Sequence, residues 1–254
     1  MKLAVSNLAW DAQDNQKVFK LLNDLNINNV EGVLSKIDSW DNLTKEKIQY
    51  YSDLLKDNNL GINSLQSLFF NVKCDDISNV DVILTHFQRL IDYSKILSVN
   101  VLVFGTPSLR KKINEWENYL IEIFTKLDEM LEGTGIYVLI EPNSKVYGGE
   151  FFHNLSEITD FILTNKLKNI KTMIDTHNLL LEGYDPVTEI ETHYPLINHI
   201  HISEEKLKPL TDHSFHIKFS NKIKSMGYNK TVTYELNKCD NLQDTLKVFS
   251  TLYQ

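Results

Sequence analysis

The chain has 254 residues, 42% hydrophobic and 24% charged, with a formal charge of −8 at pH 7. That is the make-up of a globular chain long enough for a large core. The acidic balance argues against a nucleic-acid partner, which needs a basic face, and no stretch approaches the roughly 20 apolar residues of a membrane span.

The opening residues, Met1 to Asn7, have no long apolar run, so no signal peptide is expected. Cys74 and Cys239 are not spaced as a metal pair and read as free thiols, which points to a reducing, cytoplasmic location. No Gly/Ser-rich linker divides the chain, so one domain over residues 1–254 is expected.

A first strand over 2–5 runs into Ser6-Asn7-Leu8-Ala9-Trp10. Residues 11–26 then carry Val18, Phe19, Leu21, Leu22 and Leu25 at helical spacing. A strand over 30–37 and a helix over 43–55 follow, the helix with Ile48, Tyr51, Leu54 and Leu55 on one side. The third strand, 61–68, comes after the Asn58-Asn59 turn, and a long helix spans 80–97. The fourth strand, 101–104, is closed by Gly105-Thr106-Pro107, and the next helix, 110–131, is stopped by Gly133 and Gly135. Strand five, 136–140, leads to Glu141; helix 155–167 and strand six, 171–174, lead to Asp175. A short helix over 187–193 precedes strand seven, 197–203, and helix 213–226 ends at Gly227. Strand eight, 231–234, leads to Glu235, and 241–252 is the last helix.

Strands that alternate with helices imply a parallel sheet. Eight such units of roughly 32 residues match a single (β/α)8 barrel, the α/β TIM-barrel class, with its active site at the C-terminal ends of the strands.

Strand seven, Ile197-Asn198-His199-Ile200-His201-Ile202-Ser203, alternates isoleucine with polar residues. Its His201 falls in a series. Glu141, Asp175, His201 and Glu235 lie at four successive strand ends, at intervals of 34, 26 and 34 residues. Taken singly, each has another reading. A glutamate can be a solvated strand-end charge, Asp175 a turn cap, His201 a core histidine. At one-unit spacing they read as ligands of a shared site. Two glutamates, an aspartate and a histidine suit one divalent ion, Mn²⁺, Mg²⁺, Co²⁺ or Zn²⁺. Such an ion, chelated by a carbonyl and its neighbouring hydroxyl, acidifies the carbon between them toward an enediolate-type intermediate. A glutamate on either side can move the proton.

These residues resemble the xylose isomerase-like TIM-barrel superfamily, in particular its sugar (phosphate) isomerase/epimerase proteins. The likeness runs from Ser6–Trp10 through Leu65-Gln66-Ser67-Leu68, Phe104-Gly105-Thr106-Pro107, Glu141-Pro142-Asn143, Tyr147-Gly148, Asp175-Thr176-His177-Asn178, Gly183-Tyr184-Asp185-Pro186 and His201-Ile202-Ser203-Glu204 to Tyr234-Glu235. It implies that Glu141, Asp175, His201 and Glu235 bind one metal and that Glu141 and Glu235 are the acid/base pair. The chain departs from ketose 3-epimerases. Asn178 stands where they have a histidine, with His177 one earlier, and Leu207 stands where they have an arginine. It also resembles endonuclease IV in outline, but Gln66 and Gly105-Thr106 replace that enzyme's extra histidine ligands.

Gln66, Arg110, Asn143, His177, Asn178, Glu204 and His213 fall in loops expected at the mouth, where each could contact a sugar hydroxyl or carboxylate. Trp10 reads either as a pocket wall or as core. The expected function is a metal-dependent isomerase or epimerase of a sugar or sugar derivative. The alternatives are a metal-dependent dehydratase or lyase on a polyol or keto sugar, and a non-catalytic metabolite-binding barrel. The partner is a small molecule, and nothing marks an interface that would settle whether the chain forms a homo-oligomer.

Overall fold

Eight short parallel strands pair in sequence order, and the eighth returns to the first in a closed barrel. A computed structural model describes residues 1–254. The strands are β1 (Lys2–Ser6), β2 (Asn29–Gly32), β3 (Gly61–Leu65), β4 (Val101–Phe104), β5 (Tyr137–Ile140), β6 (Ile170–Asp175), β7 (Ile197–Ile202) and β8 (Thr231–Tyr234). The helices are α1 (Asn15–Asp24), α2 (Lys45–Asp57), α3 (Val80–Leu97), α4 (Trp116–Leu131), α5 (Leu155–Thr164), α6 (Thr176–Leu181), α7 (Pro186–His193), α8 (His213–Ser225) and α9 (Leu242–Tyr253). Closure sets Leu3 opposite Val232 and Val5 opposite Tyr234. This is the (β/α)8 TIM barrel that the strand–helix alternation predicts, and no helix is long and apolar enough to cross a membrane.

Local chemistry fixes where the helices start. Thr44, Asn154, Asp185 and Asp212 each accept a hydrogen bond from the first turn of the helix that follows, which satisfies donors with no partner inside the helix. Glu157 returns a carboxylate to the backbone N–H of His153, closing a box around the start of α5. Their apolar stripes pack on the outer face of the strands. Phe19, Leu90, Phe124, Ile162, Phe219 and Phe249 join Val30, Leu102, Ile140, Ile174, Ile200 and Val232 in one continuous core.

Some element boundaries differ from the periodicity. β2 ends at Gly32 and β3 at Leu65, because the chain turns into loops once it clears the barrel rim. The helix expected from 110 starts at Trp116; Glu115 just before it holds a left-handed φ of 57°. A short extra helix, α6, follows β6 directly. Trp10 belongs to the core: it is buried edge-on against Phe19 and donates to Asn15.

Inside the barrel a small plug of Val101, Val103, Leu139 and Met173 stands apart from the main core. The opposite side of the interior is polar. A register shift between β2 and β3 sets Val30 opposite Ile62 but Glu31 opposite Ser64, leaving Asn63 as an extra residue. With this bulge, neighbours that would alternate faces both reach inward. Asn63 donates across the barrel to Thr231 at 3.1 Å, and Ser64 donates to Glu31 at 2.5 Å.

Candidate metal centre

Glu141, Asp175, His201 and Glu235 converge at the C-terminal mouth of the barrel. One ligand atom from each lies within 4.8 Å of all the others. The strands do this directly: each residue sits at or just past the end of its strand, with Asp175 and His201 side by side in the β6–β7 ladder. His201 Nδ1 is 3.3 Å from Glu141 Oε1, 3.4 Å from Glu235 Oε2 and 3.9 Å from Asp175 Oδ2.

Two of the candidate ligands, Asp175 and Glu141, are held by neighbouring polar groups. Asp175 does two jobs. Its Oδ1 caps α6 through the Asn178 backbone N–H at 2.7 Å, while the Ser203 hydroxyl lies 2.9 and 3.0 Å from its two oxygens. The helix-cap reading and the ligand reading of Asp175 are therefore compatible. Glu141 receives the Asn143 amide at 3.1 Å. Gly105 is what lets the Glu141 carboxylate sit there, since a Cβ at 105 would lie 1.7 Å from its Oε2.

The electrostatics are those of a crowded anionic cup. Burial, and then the charges of Glu141 and Glu235, push the Asp175 carboxyl up to about 8. Burial raises Glu235 as well, against the pull of His201. Burial disfavours a charged His201 ring, yet Glu31 and Glu235 hold it well above the usual histidine range. Both ring nitrogens of His201 are buried without an aligned hydrogen bond. Three carboxylates around an unpartnered imidazole nitrogen form a donor set that fits one divalent ion, and the hard oxygen majority suits Mg²⁺, Mn²⁺, Co²⁺ or Zn²⁺.

The other residues expected at the mouth divide. Gln66 borders the cleft and donates to Ser6 and to Glu31, both at 2.9 Å. Asn143 stands beside Glu141, with its Oδ1 buried and unpartnered. His177 is half-buried and its Nε2 has no partner. Asn178 is a clasp: its Oδ1 accepts the Ser144 N–H at 3.1 Å and ties the β5 loop to α6.

Three expectations are corrected. Arg110 is fully buried behind Glu141, not in the mouth. Its guanidinium donates to the carbonyls of Phe104 (2.7 Å), Glu141 (2.9 Å) and Phe152 (3.3 Å) and lies over the Phe104 and Phe152 rings. It adds a second donor to the Phe104 and Phe152 carbonyls, which also accept the backbone N–H groups of Glu141 and Asn143, and it satisfies the Glu141 carbonyl. Glu204 has both oxygens engaged in its own loop, by Thr211, Asp212 and His216. His213 is exposed at the start of α8, and it is His216 that turns inward, between Glu204 and Tyr253.

The residue that strand-end reasoning missed is Glu31. It is fully buried in β2, below the cup, with His201 Nε2 at 2.9 Å and His199 Nε2 at 3.0 Å. Its signal in the sequence is a lone carboxylate between Val30 and Gly32 in an apolar strand, where a charge without partners would be very costly.

Above the cup lies a cleft of about 560 Å³ that includes Glu141 and Glu235. Gln66, Phe69, Phe70, Val72 and Tyr147 form its wall, and no lysine, arginine or histidine borders it. The Tyr147 phenol is raised by burial and then by the negative charges of Asp175, Glu235, Glu205 and Glu141, which places it near the cup.

Among solved structures, a D-psicose 3-epimerase from Clostridium cellulolyticum, determined with D-tagatose, superposes with a TM-score of 0.76 at 17% identity, over 98% of this chain and 90% of that one. A 3-keto-D-glucoside 4-epimerase from E. coli gives a TM-score of 0.76 at 15% identity, over 100% and 98% of the two chains. A sugar phosphate isomerase/epimerase from Parabacteroides distasonis gives 0.73 at 14%, over 99% and 94%. At such identities the likeness is one of fold, and one fold hosts many reactions. No curated protein matches the chain. The family model described as xylose isomerase-like TIM barrel matches residues 19–252. With nearly the whole chain matched and the closed eight-stranded barrel in place, the protein belongs to the xylose isomerase-like TIM barrel family.

Proposed function

We propose that the protein is a divalent-metal-dependent isomerase or epimerase of an uncharged sugar or sugar derivative. The observation that carries this reading is the convergence of Glu141, Asp175, His201 and Glu235 around an unpartnered imidazole nitrogen at the barrel mouth.

In this reading all four residues hold the ion. A divalent ion there would polarise a carbonyl and its neighbouring hydroxyl and so acidify the carbon-bound hydrogen. Glu141 and Glu235, from β5 and β8, flank the other two ligands and face the cleft. One takes the proton from carbon and the other returns it. Return to the opposite face of the same carbon gives epimerisation, and return to the adjacent carbon gives isomerisation. Gln66 and Asn71 supply polar contacts in the cleft, with Asn143 and His177 outside its lining, and Phe69, Phe70 and Tyr147 supply an apolar wall for the C–H face of a sugar.

The substrate is read as uncharged from the lining. Both arginines of the chain serve backbone carbonyls: Arg110 as described, and Arg89 on Trp40 and Leu43. Barrels commonly bind phosphate in the loops after strands seven and eight. Here the first of these loops carries Glu204 and Glu205 beside Lys206 and Lys208, with Lys206 paired to Glu205, and Lys238 in the second is paired with Asp11. Two of the three lysines in these loops are already paired with carboxylates.

The test is deuterium exchange at the carbon next to the carbonyl. Purified protein loaded with Mn²⁺ or Co²⁺ is offered a panel of free ketoses and aldoses and their phosphate esters. Exchange into a free sugar without change of mass other than deuterium, abolished in Glu141→Gln and Glu235→Gln, supports the reading. Loss of water from the product would reassign the protein as a dehydratase. No metal uptake would remove the mechanism, and exchange confined to phosphate esters would remove the uncharged substrate.

A further inference from the structure

Below the cup, Glu31 is more closely surrounded by polar groups than a simple core ion pair would be. Ser64 Oγ and His199 Nε2 lie 2.5 and 3.0 Å from Oε2, and Gln66 Nε2 and His201 Nε2 each lie 2.9 Å from Oε1. Ser64 and Gln66 donate to it, one to each oxygen, and both imidazole nitrogens stand within 3.0 Å of it. An ionised carboxylate only accepts.

That constrains His201. If its Nε2 carried a lone pair, that lone pair would face a carboxylate oxygen at 2.9 Å inside a dry barrel, where repulsion is poorly screened. Nε2 must therefore carry a proton whether the ring is neutral or cationic, and Nδ1, which faces Glu141, Asp175 and Glu235, is the nitrogen that can give up its proton to a metal. We propose that Glu31 is the positioning residue of the metal centre, its Oε1 fixing the proton of His201 on Nε2 and so presenting Nδ1 as the ligand. A carboxylate behind a ligating histidine fixes its tautomer and strengthens it as a donor. Ser64, brought into the barrel by the β3 bulge, and Gln66 hold Glu31 in turn. The inference rests on the metal reading above for its consequence, though not for the tautomer.

The test uses the full chain and Zn²⁺, which is diamagnetic. Histidine ¹⁵N spectra of the wild-type protein, with and without Zn²⁺, report which ring nitrogen of His201 is protonated. Calorimetric titration with Zn²⁺ then compares wild type, Glu31→Gln and Ser64→Ala, with circular dichroism to confirm folding. A protonated Nε2 is expected, together with a 10–100-fold weaker Zn²⁺ dissociation constant for Glu31→Gln. Ser64→Ala, which removes one hold on Glu31 but leaves Oε1 on His201, is expected to weaken Zn²⁺ binding by less than Glu31→Gln does. A bare Nε2 in the wild type overturns the proposal, and so does a folded Glu31→Gln protein with wild-type affinity. If Glu31→Gln fails to fold, the wild-type spectrum decides. If the wild type takes up no Zn²⁺ while Nε2 is protonated, the metal reading fails and the hold of Glu31 on His201 stands.

Discussion

The two halves of the barrel interior are built from opposite chemistry. From β4, β5 and β6 come Val101, Val103, Leu139 and Met173, an apolar plug with no hydrogen-bond donor among its side chains. From β2, β3, β7 and β8 come Glu31, Ser64, His199 and Thr233, joined by short polar contacts. Both halves carry metal-ligand candidates at their upper end, but they hold them differently. On the apolar side, Glu141 and Asp175 are fixed by loop groups: Asn143, Ser203 and the α6 N-terminus. On the polar side, His201 stands on a buried carboxylate. A carboxylate can be aimed from its rim because either oxygen serves. An imidazole has two inequivalent nitrogens, and its proton must be placed from behind.

The sharpest break in this comparison is chemical. Glu141→Gln keeps the shape of the apolar-side ligand and removes its charge. A loss of roughly 10²–10⁴-fold in carbon-bound proton exchange is expected, read by deuterium incorporation under saturating Mn²⁺; an unchanged rate would take Glu141 out of the chemistry. Removing the plug should instead act on stability alone. Leu139→Ala opens a cavity at a fully buried position and is expected to cost about 2–5 kcal/mol. Urea denaturation measures that loss, while Zn²⁺ affinity should stay near wild type. A weakened site would mean the two halves are not separable.

Gly105→Ala probes the rim on the same side. The new Cβ must displace the Glu141 carboxylate, because 1.7 Å is far inside contact distance. A drop in Zn²⁺ affinity of at least about tenfold is expected, at the level of losing a ligand's support. Unaltered binding would show that Glu141 can be held elsewhere.

The smallest effect is a pH slope. Asp175, pushed up to about 8, keeps a proton in the metal-free fold at pH 7 that the unfolded chain has released. The folded state binds more protons, so stability falls as pH rises through that value. Burial lowers His86, His199 and His216, whose opposite slope is confined to pH below the ordinary histidine value near 6.5. His201, held well above 6.5, slopes the same way as Asp175. Between pH 7 and 9 the metal-free protein should therefore lose at least about 1 kcal/mol, and saturation with Zn²⁺ should flatten the curve by displacing the protons. Thermal melts at fixed ionic strength check this, and a metal-free profile that rises over that range would count against the crowded-carboxylate picture.

Much of this molecule is legible in the order of its residues. The strand–helix alternation names the barrel, and the polar residue that ends each of the last four strands names the cup. Both are local: strand ends are marked by where apolar runs stop, and a closed parallel barrel puts all such ends on one face. Arg110 was not legible. A basic residue after a strand looks like loop polarity, and only the folded chain shows carbonyls of Phe104, Glu141 and Phe152 meeting at one point behind it. His213 is a related case: His216 lies three residues on, nearly one turn of the same helix, and packing against Tyr253 turns His216 and not His213 inward.

The sequence by itself determined the class of fold and the four side chains at its mouth, because periodicity and strand-end chemistry need only neighbours along the chain. Tertiary structure decided what stands behind them. Glu31 meets Ser64, Gln66, His199 and His201 only because the barrel closes and β3 carries an extra residue, so that groups far apart in sequence share one desolvated space. In that space each buried donor needs an acceptor, and this requirement, set by closure and not by any local pattern, fixes which nitrogen of His201 faces the cup.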